Sequence, residues 1–255
     1  MKHRRALLRV GAALFVLALI ALWHWVAAAR LFPPVFLPSP TETWQALRAI
    51  EARGELWNGL GATCLRMLYG WGLASILGIA LGAVLARSGA ARAYIQPTLE
   101  FLRPLPAAAI IPVAVLLLGL TPQMAVSVIA FGALWPVLLG SYYGFSNVEP
   151  RIAEVAALQE LGSTDYLRKI ALPSALPEIF AGLRVNLAIA LILAVVVEIQ
   201  AGLSGLGFNI MVAQRLFRTP ELYAGIAVLG GIGAIASQAL ALTERRLLRW
   251  RTLSR

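Results

Sequence analysis

The sequence predicts an all-α integral membrane protein with six transmembrane helices, and three observations carry that prediction. Hydrophobic residues make up 60% of the 255 residues and charged ones 13%, with a mean hydropathy of +0.78, outside the range of ordinary soluble domains. Six apolar stretches recur along the chain, at about 10–29, 67–86, 105–120, 124–143, 179–201 and 222–242. Lys and Arg collect at one set of span ends. We read 1–255 as a single membrane domain, with an N-terminal anchor span within 1–30 and a five-helix core over 60–245 that carries a polar loop at about 147–176.

About 20 apolar residues in a helix cross a hydrocarbon layer about 30 Å thick, so the first, second, fourth and sixth stretches are long enough unaided. The first follows "MKHRR", which is also how a signal peptide begins. Its apolar run is longer than the 7–15 residues or so of a signal core, which favours an uncleaved anchor; "HWVAAARLF" leaves a cleavage site open. The third stretch is short and holds Pro106 and Pro112. The fifth contains Arg184, Asn186 and Glu198, residues that a lipid-facing helix would not keep but a helix inside a bundle can.

With a cytoplasmic start, six spans put both termini and two internal segments inside. Fifteen Lys and Arg then fall on inner flanks, against six on outer ones: Arg30, Arg48, Arg53, Arg66, Arg215 and Arg218. That asymmetry is the positive-inside pattern. The net charge of +10 is spread over span ends rather than gathered on one patch, so anionic lipid, not nucleic acid, is the expected partner.

Catalytic and metal-binding patterns are missing. His3 and His24 are the two histidines, Cys64 is the one cysteine, and there is no HExxH, CxxC, GxSxG or GxxxxGK[ST]. Without a phosphate-cradling loop, a transporter built on this chain takes its energy from another subunit or from an ion gradient. The Gly-rich "AGLSGLG" at 201–207 follows a span and lacks Rossmann spacing, and it reads as a flexible exit from span five.

The polar stretch "EVAALQELGSTDYLRKIALP" at 154–173 stands out in this setting. Ile152, Val155, Ala156, Leu158 and Leu161 fall on one side of a helix from about Pro150, with Arg151, Glu154, Gln159 and Glu160 largely on the other. Gly162 is expected to end that helix in a left-handed turn. Ser163, Thr164 and Asp165 can cap a second helix, which Pro173 and Pro177 should stop before span five begins. By pattern alone this helix–turn–helix is either an amphipathic connector lying on lipid or a handle for a soluble partner.

The stretch resembles the EAA loop of ABC importer permeases: Glu-Ala-Ala, three residues, Gly, nine residues, then Ile-x-Leu-Pro. Glu154, Ala156, Ile170, Leu172 and Pro173 match without gaps, Val155 replaces the first Ala, and Glu160 stands at the Gly position, with Gly162 two residues later. A first helix half a turn longer than the family's is the expectation. The resemblance covers nearly the whole chain. "FLPSPTETWQAL" (36–47), "GWGLASILGIALGAVLARS" (70–88), "PTLEFLRPLPAAAIIPVAVLLLGL" (97–120), "LPSALPEIFAGLRV" (172–185) and "GLSGLG" (202–207) are similar to permeases of nitrate, taurine, alkanesulfonate and bicarbonate importers.

The resemblance implies a type I ABC importer permease fold, a homodimer in a bacterial inner membrane, and no enzymatic activity or cofactor in this chain. Two cytoplasmic ATPase subunits binding ATP and Mg would grip the loop through Glu154, Ala156, Glu160, Gly162, Ile170, Leu172 and Pro173. A periplasmic binding protein would deliver the solute, and closure of the ATPases would drive the pathway from inward-open to outward-open. For the pathway itself, Glu198 and Asn186 are the candidates, each with a packing role as its alternative. Arg184 and Arg103 are expected to snorkel to inner headgroups. A gradient-driven transporter is the other class considered, and no internal repeat supports it; an embedded enzyme would need clustered polar groups that the sequence lacks.

Overall fold

The computed structural model describes residues 2–250, and its regular elements are helices, with no strand among the described residues. α1 (Lys2–Ala28) holds the first span and α2 (Pro40–Ala52) is a short polar helix after it. α2 starts where the sequence can start a helix. Pro40 sits in its first turn, the Ser39 hydroxyl accepts from the Glu42 amide, and the Glu42 carboxylate accepts from the Ser39 amide at 2.7 Å, a reciprocal capping box.

α3 (Glu55–Arg87) is the second span, and it is followed by α4 (Gly89–Leu102) and α5 (Ala107–Leu118), which are bent 97° from each other. The sequence placed one span at 105–120. The structure instead gives a helix of 12 residues there, about 18 Å long and too short to cross alone, preceded by α4. The break has a local cause at Leu105 and Pro106: a residue before proline is pushed away from helical geometry, and Pro106 itself is extended at φ −70°, ψ 117°.

α6 (Pro122–Ser146) is capped by Thr121, whose hydroxyl accepts from the Met124 amide at 3.2 Å. Then come α7 (Pro150–Leu158), α8 (Ser163–Tyr166), a π-turn at Leu167–Ala171, α9 (Leu172–Ala201), α10 (Leu206–Arg215) and α11 (Thr219–Leu247). Among the described residues five helices are long and apolar enough to cross a membrane, or six if the bent α4–α5 pair is one span.

The core is the stack of α3, α6 and α9, with Met67, Ala74, Ile129, Val137, Ile179, Leu187 and Ala194 among its buried residues. In lipid, helices attract one another through close packing more than through hydrophobicity. α3 supplies the means: Gly70, Ala74, Gly78 and Gly82 recur every four residues and all are buried. A methyl group on Gly82 would lie 2.8 Å from the Leu138 carbonyl oxygen of α6, and one on Gly182 of α9 would lie 2.7 Å from that of Pro136. α1 stays at the edge. Its apolar run, residues 10–28, has no buried residue among those described, and Trp23 ties it to its neighbours, the indole donating to the Pro38 carbonyl at 2.9 Å and stacking on Tyr223 at 5.9 Å.

Candidate functional site

Two constellations rise above packing: the helical loop of residues 150–173 and a buried carboxylate at the other end of α9. In the loop, Glu154, Glu160 and Gly162 are exposed, and Ala156 is buried. The apolar side is divided, with Ala156 buried and the larger side chains turned outward. Ile152, Val155 and Leu158 are 42%, 53% and 84% exposed, so α7 presents apolar side chains outward between polar ones.

The turn is built differently from the sequence expectation. The left-handed residue is Glu160, at φ 51°, and the Leu161 amide closes back on the Ala156 carbonyl at 3.2 Å across it, a Schellman-type closure. Gly162 is extended at φ −60°, ψ 153°, precedes α8, and has nothing within 4 Å of where a Cβ would stand. The first helix also stops at Leu158 rather than running on. The turn therefore falls on Glu160, at the position where the EAA pattern has Gly.

Pro173 and Pro177, expected to stop the second helix, do not stop it. Ser163–Ala201 is one continuous helix of 39 residues. Pro173 has no amide to offer the Lys169 carbonyl and its ring crowds it, and the chain accommodates this by widening. The Leu172 amide bonds to the Leu167 carbonyl across the π-turn, a device often met at functional sites. Ile170 and Pro173 are half-buried and Leu172 is 37% exposed. The structure thus brings Glu154, Ala156, Glu160, Gly162, Ile170, Leu172 and Pro173 into one helical hairpin that leads straight into α9.

Glu198 lies near the end of α9 and is fully buried. Its Oε1 accepts from Arg66 Nη1 at 2.8 Å, and its Oε2 accepts from the Thr63 hydroxyl at 3.0 Å and the Gly207 amide at 2.9 Å. Arg66 also donates to the Ser204 carbonyl at 2.5 Å, and Thr63 Oγ1 accepts from the Leu206 amide at 2.9 Å. A charge taken out of water is tolerable only when paired and hydrogen-bonded, and these partners meet that condition. The "GLSGLG" stretch is therefore no loose exit. A Cβ on Gly205 would fall on the Glu198 carboxylate, so the missing side chain is what lets the carboxylate in.

Asn186, midway along α9, is also fully buried. Its amide donates to Ser75 Oγ at 3.0 Å, Ser75 donates to the Trp71 carbonyl at 2.6 Å, and the Trp71 indole donates to the Leu183 carbonyl at 3.2 Å. These bonds clamp α3 to α9. In this protomer both proposed pathway residues are closed within helix junctions, Glu198 against α3 and α10, and Asn186 against α3. Arg184, expected to reach headgroups, pairs with Glu244 of α11, and Arg103 is exposed at the end of α4.

Sequence reasoning missed Arg66, Thr63, Ser75 and Trp71. One signal was available: a carboxylate inside a span demands a partner, and Arg66 stands at the matching end of the second span. No group of three or more His, Cys, Asp or Glu side chains among the described residues could hold a metal ion.

Comparison with known proteins gives a consistent answer. The family model described as binding-protein-dependent transport system inner membrane component matches residues 74–249. The chain is 31% identical over 233 residues to the putative aliphatic sulfonates transport permease protein SsuC of Bacillus subtilis (strain 168), covering 91% of this chain and 84% of the relative. It is 30% identical over 239 residues to the taurine transport system permease protein TauC of Escherichia coli (strain K12), covering 91% and 86%. In three dimensions it resembles a chain of an amino acid ABC transporter solved with histidines, with a TM-score of 0.64 at 18% identity, covering 78% of this chain and 97% of the other.

Proposed function

The chain belongs to the family of binding-protein-dependent transport-system inner-membrane components, it is the permease subunit of an ABC importer, and from that premise we propose that its solute is a small anion of the sulfonate class. The relatives' solutes, aliphatic sulfonates and taurine, support that class; nitrate and bicarbonate are the other anions the sequence resemblance brings in. The pathway forms between two copies of this chain in a bacterial inner membrane with both termini cytoplasmic. Two ATPase subunits bind ATP and Mg on the cytoplasmic side, and a periplasmic binding protein delivers the solute.

The observation that carries the reading is the hairpin 150–173. An exposed apolar row at Ile152, Val155 and Leu158, flanked by exposed acidic and basic groups, suits a soluble protein partner with a groove for it. It feeds into α9 without a flexible joint. ATP-driven closure of the ATPases would displace this hairpin and, through it, the packed α3–α6–α9 core.

The test is uptake of radiolabelled taurine and ethanesulfonate into vesicles that carry the permease with its ATPase and binding protein, with nitrate and bicarbonate as competitors. ATP-dependent uptake blocked by Leu158→Glu, with the permease still inserted, is the expected outcome. Uptake that proceeds without ATP, or without any ATPase associated with the loop, would overturn the reading.

A further inference from the structure

α10 is a helix whose start is capped by other helices. Its own N-cap is Gly205, which has no side chain to give. The amides of its first two residues, Leu206 and Gly207, are among the donors that a helix leaves unsatisfied. They are taken by Thr63 Oγ1 of α3 and by the Glu198 carboxylate of α9. That carboxylate also places a negative charge at the positive end of the helix dipole. Arg66 completes the arrangement by holding Glu198 and the Ser204 carbonyl at once.

Glu198 is three residues from the end of the continuous helix Ser163–Ala201 that begins in the exposed hairpin. At 1.5 Å per residue the run from Ser163 to Glu198 is about 50 Å long. A shift of the hairpin is therefore applied, along a single packed rod, to the residue that caps α10.

We propose that Arg66 and Glu198 form a latch that makes the 202–206 loop and α10 travel with α9, so that a displacement of the hairpin 150–173 reaches the opposite side of the membrane. Both are positioning residues: they act by fixing α10, and neither touches solute. The proposal rests on the reading of the hairpin as the ATPase-driven element. Substituting Glu198 removes the charged cap that joins α9 to α10, and substituting Arg66 removes the group that holds both this carboxylate and the Ser204 carbonyl; either loosens α10 from α9 while leaving the hairpin and its docking intact.

The experiment is hydrogen exchange on the permease, alone and co-purified with its ATPase in bilayer nanodiscs, with and without the Mg complex of the ATP analogue AMP-PNP. In the wild type, nucleotide should alter exchange both in the hairpin and in α10. In Glu198→Gln and Arg66→Gln the hairpin response should persist while the α10 response disappears, and α10 should exchange about tenfold faster in the nucleotide-free permease. An α10 response that survives in both variants, or unchanged α10 protection without nucleotide, overturns the latch. A wild-type hairpin that ignores nucleotide refutes the ATPase-driven reading, and the nucleotide-free arm still decides the latch. Should a single charge variant fail to assemble, the double variant Arg66→Gln with Glu198→Gln, which removes the pair and leaves no unpaired charge, carries the same two arms.

Discussion

The amide of Leu161 donates to the carbonyl of Ala156 at 3.2 Å across a left-handed Glu160 at φ 51°. A residue with a Cβ pays about 1–2 kcal/mol in that conformation, which glycine avoids. Glu160→Gly should therefore stabilise the hairpin by about 1 kcal/mol. Slower proteolysis or slower exchange of the 156–163 amides is the measurement, and faster exchange in the variant would count against the turn described.

Gly162→Val should be tolerated, against the expectation from sequence. The residue is extended and a Cβ there meets nothing, and β-branched residues favour such backbone. ATPase pull-down and uptake close to wild type are expected. Loss of docking would show that Gly162 is needed in another conformation in the complex.

Arg66→Ala should be among the most damaging single changes, because it strands the Glu198 carboxylate in a fully buried site. Breaking a buried pair from one side costs about 3–5 kcal/mol. The double variant Arg66→Ala with Glu198→Gln should recover part of that loss, since no unpaired charge remains. Thermal melting of the four species in detergent forms the cycle, and strictly additive losses would remove the coupling claimed for this pair.

Gly205→Ala should destabilise the same node without removing a charged residue. Its methyl group would fall on the Glu198 carboxylate, and overpacking of this kind costs about 1–3 kcal/mol. Gly61→Ala, with open space around it, is the control. Equal melting temperatures for the two variants would argue against the close approach.

The start of α2 should respond to acid. The amide and hydroxyl of Ser39 hold the Glu42 carboxyl below its ordinary value. A depressed folded-state value means that the cap's contribution is present above the ordinary carboxylate range and is lost as pH falls through the depressed value. Exchange of the α2 amides should accelerate over that acidic interval in the wild type and stay level in Glu42→Gln, and Ser39→Ala should cost about 1 kcal/mol at neutral pH. Identical pH profiles for wild type and Glu42→Gln would refute this account.

The spans, the hairpin and the family were legible in the sequence because each rests on neighbouring residues. Hydrophobicity adds up along consecutive positions, so α3, α6, α9 and α11 appear close to where the apolar runs lie. The hairpin's matching residues lie within 20 positions of one another, and helical periodicity is enough to place them on one element. The bend between α4 and α5 was half legible: Pro104 and Pro106 announce a break, but only packing decides that its angle is 97°.

What the tertiary structure alone decided are the contacts between distant residues and the backbone states they select. Arg66 and Glu198 are 132 positions apart, and any of several cations could have met that carboxylate. The choice depends on how closely α3 approaches α9, which the small residues along the core permit. The same holds at the turn. Both Glu160 and Gly162 could have taken the left-handed state, and intrinsic preference favours the glycine. The closure from Leu161 to Ala156 sets the geometry instead, because a helix end satisfies its carbonyls where the chain leaves it and not where glycine happens to stand.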